Sequence, residues 1–224
     1  MYISTDAIIL KNTKYKESSI ISRIFTYDEG KISVIFKGAK KGKNNLSGTI
    51  EPGNIVYITY YNNNSSIKTV KEVSLKKIYF STREVLENYY YSMAIISLLD
   101  KVCTENNPEK KLFTLTLEIF DSINQQNKSI DVLFLFFLVQ LNKFLGFELT
   151  QTNSSNQQSL IAELNHSDAF LSNINEMITN KIHLINKAKV TIYKHMKEHL
   201  IDLNDIYAIK MIKNLNNETI TRSN

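Results

Sequence analysis

Residues 19–36 read SIISRIFTYDEGKISVIF, two runs of Ile, Val, Phe and Tyr around Asp28-Glu29-Gly30. β-branched and aromatic residues with period-two stretches favour strands, and an acidic pair before glycine is a turn signal. The pattern repeats on both sides. Ala7–Leu10, Ser19–Tyr27, Lys31–Phe36, Asn54–Tyr61 and Ile67–Phe80 read as five strands. Further turn signals lie at Gly38 to Gly42, Glu51-Pro52-Gly53 and Asn62-Asn63-Asn64. Five short strands in about eighty residues predict a small closed barrel, with the five-stranded OB-fold as the candidate.

The pattern changes near Ser81. Val85, Leu86, Tyr89, Met93, Ile96 and Leu99 have the three-and-four spacing of an amphipathic helix over Arg83–Cys103, with Ser81 or Thr82 as its N-cap. A second helix is predicted from Pro108 to Ile123. A third, from Ile130 to Leu145, ends at Gly146 and is apolar all round at Val132–Val139, which places it at the centre of a bundle. Residues 149–158 read as a polar loop, and shorter helices follow at 159–164, 167–179, 186–200 and 204–215. The fold class is therefore α+β, with a barrel at 1–80 and a helical domain at 81–224.

The charge is unevenly spread. Residues 1–50 hold 9 Lys/Arg and 4 Asp/Glu, and the rest of the chain is balanced at 18 of each, so the whole excess of +5 lies in the first fifty residues. Four lysines, Lys37, Lys40, Lys41 and Lys43, directly follow the strand 31–36. Lys11, Lys14, Lys16 and Arg23 add charge on the preceding strands, and Tyr15 and Tyr27 offer rings on which bases stack. A basic segment with interleaved aromatics is the pattern of a polyanion partner, single-stranded nucleic acid in particular. A solvated lysine loop is the plain alternative.

Catalytic patterns fail on spacing. Gly38-Ala39-Lys40-Lys41-Gly42-Lys43-Asn44 has three residues between the glycines where a phosphate-binding P-loop has four, and Asn44 stands where a magnesium-binding Ser/Thr is needed. His195-Met196-Lys197-Glu198-His199 has the inverted zinc-protease order but no third ligand nearby. His166 and His183 are isolated. Cys103 is the single cysteine, so no disulfide or multi-cysteine zinc site is expected, nor any metal or cofactor. One cysteine fits a cytoplasmic protein. The N-terminus lacks a basic leader region, and the longest apolar run, Val132 to Val139, is too short to span a bilayer. The sequence is not read as that of an enzyme.

One set of motifs resembles a known family. Ala7-Ile8-Ile9-Leu10-Lys11, Tyr15-Lys16-Glu17-Ser18, Ile24-Phe25-Thr26-Tyr27-Asp28-Glu29-Gly30-Lys31 and Lys37-Gly38-Ala39-Lys40-Lys41 follow the order of the N-terminal domain of the RecO family. Glu51-Pro52-Gly53 resembles its turn before the fourth strand, and Leu75–Asp100 its passage into helices. The resemblance implies a recombination mediator. Such a protein binds single- and double-stranded DNA, anneals strands, and with RecR loads recombinase onto DNA coated with single-strand-binding protein. Lys110 and Lys111, beside Leu112 and Phe113, are the candidate contact for that protein's acidic, apolar-ended C-terminal tail. Many relatives carry a four-cysteine zinc module after the position of Leu145-Gly146-Phe147. This sequence has no cysteine there, so a metal-free loop and short helices are expected around 150–180. Charge alone leaves an OB-fold RNA-binding or ribosome-associated protein open, because phosphate contacts carry no sugar information. A protein-interaction scaffold with solubilising lysines also stays open.

Overall fold

A computed structural model describes residues 1–40, 46–79, 84–125, 129–149, 161–162, 164 and 170–222. Five strands form a closed barrel: β1 (Tyr2–Tyr15), β2 (Ser19–Thr26), β3 (Gly30–Phe36), β4 (Ile55–Tyr61) and β5 (Ile67–Lys77). Their order around the barrel is β1-β2-β3-β5-β4, with β3 and β5 parallel and the other pairs antiparallel. This is the Greek-key arrangement of an OB-fold. β1 runs well past the Ala7–Leu10 stretch read from the sequence, because its ends pair with β4 and β2 although most of their side chains are polar or exposed.

Alternation fills the interior. Ala7 and Ile9, Ile20 and Ile24, Ile32, Val34 and Phe36, and Val56, Ile58 and Tyr60 form one buried cluster. Ala39 and Ile50, from the β3–β4 connection, join it. A register shift between Ile9 and Lys11 is met by that connection, where Gly53 N donates to Ile9 O at 2.9 Å and Ile9 N donates to Asn54 O at 3.1 Å. Asn12 Nδ2 donates to Ile50 O at 2.7 Å, and Asn12 Oδ1 accepts from the Ser22 hydroxyl at 2.5 Å.

The helices are α1 (Leu86–Val102), α2 (Lys110–Gln125), α3 (Ile130–Phe144), α4 (Phe170–His199) and α5 (Tyr207–Arg222), with a 3₁₀ turn at Leu203–Asp205. The expected helices at 167–179 and 186–200 are one helix, α4. No proline or glycine interrupts that stretch, and its polar side chains do not break a backbone that can continue its own hydrogen bonds. Ser81 and Thr82, and most of 149–169, lie outside the described residues.

The chain divides into two compact units, Met1–Tyr79 with Ile96–Phe113, and Phe80–Ile95 with Thr114–Asn224. In the first, the end of α1 and the segment after it lie against the β2–β3 end of the barrel. Arg23 pairs with Asp100, whose side chain is 10% exposed, and Lys31, itself buried, donates its Nζ to Asp100 O at 2.8 Å. Asn106 N donates to Lys31 O at 2.9 Å, and Phe113 packs on Phe25 at 5.9 Å. In the second unit α3 is buried continuously from Val132 to Asn142, which takes in the apolar run Val132–Val139 and continues over Gln140 and Asn142. It ends in a glycine cap: Gly146 has φ +81°, Gly146 N donates to Lys143 O, and Phe147 N donates to Asn142 O.

Candidate nucleic-acid interface

The basic loop grows from a fixed stem. Ala39 is fully buried, Lys40 N donates to Ser18 O at 3.0 Å, and Leu46 N donates to Ala39 O at 2.9 Å. These bonds tie the loop to the turn between β1 and β2 and bring its two ends together. Lys37 is exposed and Lys40 half-buried at the stem, while Lys41 and Lys43 lie outside the described residues. The β2–β3 register sets Phe36 opposite Ile20, so Lys37 leaves the sheet at the same turn.

Lys14, Tyr15 and Lys16 are exposed at that turn. Lys16 takes φ +51°, a left-handed turn position, and its Nζ lies 5.4 Å from the centre of the Tyr15 ring. The site thus gathers Lys14, Tyr15, Lys16, Lys37 and Lys40 around one turn, with Glu17 as its local acid. Lys11 is also exposed, further along β1. Fixed lysines neutralise phosphates, and a half-exposed tyrosine (41%) beside them gives a base a face to stack on.

Two sequence-nominated residues do not join this cluster. Arg23 is held by Asp100. Tyr27 lies at the other end of β2, about 25 Å of strand from Tyr15. Its ring is met edge-on by Phe113 at 5.6 Å and covered by Lys110 Nζ at 4.6 Å. The structure brings Tyr27 together with Lys110, the lysine nominated for a protein tail, and both belong to the barrel unit. Leu112 and Phe113, which follow Lys110 and Lys111 in sequence, are buried. Lys111 is exposed.

Lys110 Nζ also donates to Asp28 at 3.0 Å, and the Thr5 hydroxyl donates to the same carboxylate at 2.9 Å. The Lys110 hydrogen bond first, then that from Thr5, holds the Asp28 carboxyl below its ordinary 3.8. A lowered folded pKa stabilises the fold above the unfolded pKa, and the effect is lost as pH falls through the folded value. Lys110→Met is therefore expected to raise the Asp28 pKa in a carboxyl-carbon NMR titration. The melting-temperature gap between parent and variant should be constant near neutrality and close below about pH 4. An unmoved Asp28 titration refutes the pairing.

Burial pushes the Cys103 thiol up to about 12. His195 Nε2 lies 2.7 Å from Phe147 O, and the His199 ring stacks on Phe147 at 5.9 Å. Among the described residues no group of three or more His, Cys, Asp or Glu is placed to hold a metal ion, and no helix is long and apolar enough to cross a membrane. One cysteine in the sequence cannot supply the zinc module of the resembling family.

Comparison with known proteins agrees with the barrel and its motifs. The family model for the recombination protein O N-terminal domain matches residues 1–79, and that for its C-terminal domain matches residues 83–179. The chain belongs to the RecO family. Three proteins named DNA repair protein RecO are among its relatives. Those of Prosthecochloris aestuarii and Chlorobium limicola are 31% and 29% identical over 149 residues, 66% of this chain and 56% and 57% of theirs. That of Alkaliphilus metalliredigens is 26% identical over 194 residues, 86% of this chain and 76% of its own length. The chain spans little more than half the length of the first two relatives. The OB-type barrel is what RecO membership predicts for the N-terminal part.

Proposed function

We propose that this RecO-family chain acts in DNA repair by binding single-stranded DNA at the β1–β2 turn and the basic loop and by annealing complementary strands. One observation carries the reading: the Lys40–Ser18 backbone bond fixes the start of the lysine loop beside Lys14, Tyr15 and Lys16. Annealing needs no catalytic group. Two polyanions repel, and lysines that neutralise phosphates on each lower that repulsion while leaving base edges free to pair. In this reading the protein works with RecR and helps load recombinase onto DNA covered by single-strand-binding protein, which is what the resemblance to the family implies. We assign contact with that protein's acidic tail to Lys110 and Lys111. Lys111 is exposed, whereas Lys110 exchanges Asp28 for an acid of the tail.

The test is annealing of complementary labelled oligonucleotides, bare and precoated with single-strand-binding protein. The parent chain is expected to accelerate pairing in both cases. Lys14→Gln, Lys16→Asn and Lys37→Gln together should remove most of the acceleration, asparagine being chosen because it tolerates the left-handed backbone at position 16. Acceleration of RNA pairs alone would favour an RNA-binding protein and overturn the proposal.

A further inference from the structure

The outer face of β1 and β4 carries a feature that the basic loop does not use. Three successive outward pairs cross the two strands: Tyr2 with Tyr61, Ser4 with Thr59, and Asp6 with Tyr57. The three tyrosines are 54%, 45% and 45% exposed. Tyr2 and Tyr61 meet edge to face at 5.5 Å, and Lys71 Nζ from β5 lies 5.0 Å from the centre of the Tyr2 ring. Ser4 and Thr59 share a hydroxyl hydrogen bond at 2.9 Å, and Lys76 neutralises Asp6 at 2.8 Å.

We propose that this face is a second seat for single-stranded nucleic acid, held mainly by base stacking on Tyr2, Tyr57 and Tyr61. Tyr57 and Tyr61 are about 13 Å apart along β4, which gives two stacking stations with a hydroxyl step between them. Ser4 and Thr59 part the Tyr2–Tyr61 pair from Tyr57. Lys71 and Lys76 of β5 reach this face, Lys71 paired with Glu72 at 3.2 Å and Lys76 with Asp6 at 2.8 Å, so charge is balanced beside the rings and stacking carries the binding. A protein interface of this exposure would have a contiguous apolar centre, whereas half-exposed rings interrupted by a hydroxyl step match the spaced faces of successive bases. The face is distinct from the turn described above. Tyr2 and Tyr15 are the two ends of β1, about 43 Å of strand apart. A chain with both seats holds two strands at once, the arrangement annealing needs. The inference rests on the proposed DNA binding at the turn, and the two fail separately.

Native mass spectrometry with an oligo(dT) of about 12 nucleotides, within the span of an OB-fold site, reads the number of strands per chain. The parent should take two. Tyr2→Ser, Tyr57→Ser and Tyr61→Ser together should leave one, with the remaining affinity keeping its salt dependence. The corresponding Tyr→Phe set, which keeps the rings, should still take two. Each lost ring is expected to weaken the second binding event about 5-fold or more. Photocrosslinking of an iodouracil oligonucleotide to the parent should mark Tyr57 or Tyr61, a readout that needs no variant to fold. Removing the lysines of the loop should weaken the other event and flatten its salt dependence, and its failure to do so would count against the turn, not this face. One strand per chain in the parent, with no crosslink to β4, overturns the inference. So does a parent dimer that the serine variants split, because the face is then a contact between copies.

Discussion

Gly30→Ala is expected to lower stability by about 3 kcal/mol or more, enough to depress the melting temperature by several degrees and in a marginal background to prevent folding. Two costs add. Gly30 has φ +71°, a left-handed conformation that costs an L-residue roughly 1–2 kcal/mol. A Cβ built there would stand 2.0 Å from the Asn107 carbonyl oxygen and 2.4 Å from its carbon. Those are backbone atoms, so no side chain can swing aside. The neighbouring segment cannot easily retreat, because Asn106 N donates to Lys31 O and Lys31 Nζ donates to Asp100 O. Differential scanning calorimetry checks the result. Gly38→Ala is the control: it has a similar φ of +69° but nothing within 4 Å of the added carbon, so it should cost only the backbone term. Equal losses for the two variants would show that the close approach of Asn107 contributes nothing.

The contrast between these two glycines marks what the sequence reveals. Alternation at Ile32, Val34 and Phe36, and at Val56, Ile58 and Tyr60, is written in the residues, since a strand with one wet face must repeat every second position. The end of α3 at Gly146 is legible for the same local reason. What pairs with what across long separations is not. Arg23, Lys31 and Lys110 all look like spare cations in sequence, yet Asp100 engages the first two and Asp28 the third. Tyr27 looks like Tyr15, but Phe113, far along the chain, takes its edge. The docking of the lysine loop on Ser18 depends on a backbone bond that no side chain announces. Tyr57 and Tyr61 did leave a signal. They alternate with buried Ile58 and Tyr60, which places both rings on the outer surface of a strand that aromatic content alone would assign to the core.

Replacing Lys37, Lys40, Lys41 and Lys43 together with alanine is expected to remove most of the salt dependence of single-strand binding. If the four lysines neutralise about four phosphates, they contribute about −3 to the slope of log K against log salt, a share worth roughly 50-fold in affinity between 50 and 200 mM salt. The variant should lose only a few-fold over the same range, from the cations left at the turn. The fold should survive, because the stem is held by Ala39, Leu46 and Ile50 and by backbone bonds to Ser18 and between the loop ends, none of which uses a lysine side chain. A melting temperature close to that of the parent is therefore part of the expected result, and it separates lost charge from lost structure. Lys14→Gln with Lys16→Asn should flatten the slope by about half as much, each cation contributing roughly 0.7 to it. The effects of the two sets should add if each lysine meets its own phosphate, and should fall short of the sum if both serve the same ones. Fluorescence anisotropy across a salt series measures all three proteins. An unchanged slope in the four-lysine variant would mean that the loop is a solvated tether and that the charge excess of the first fifty residues serves solubility.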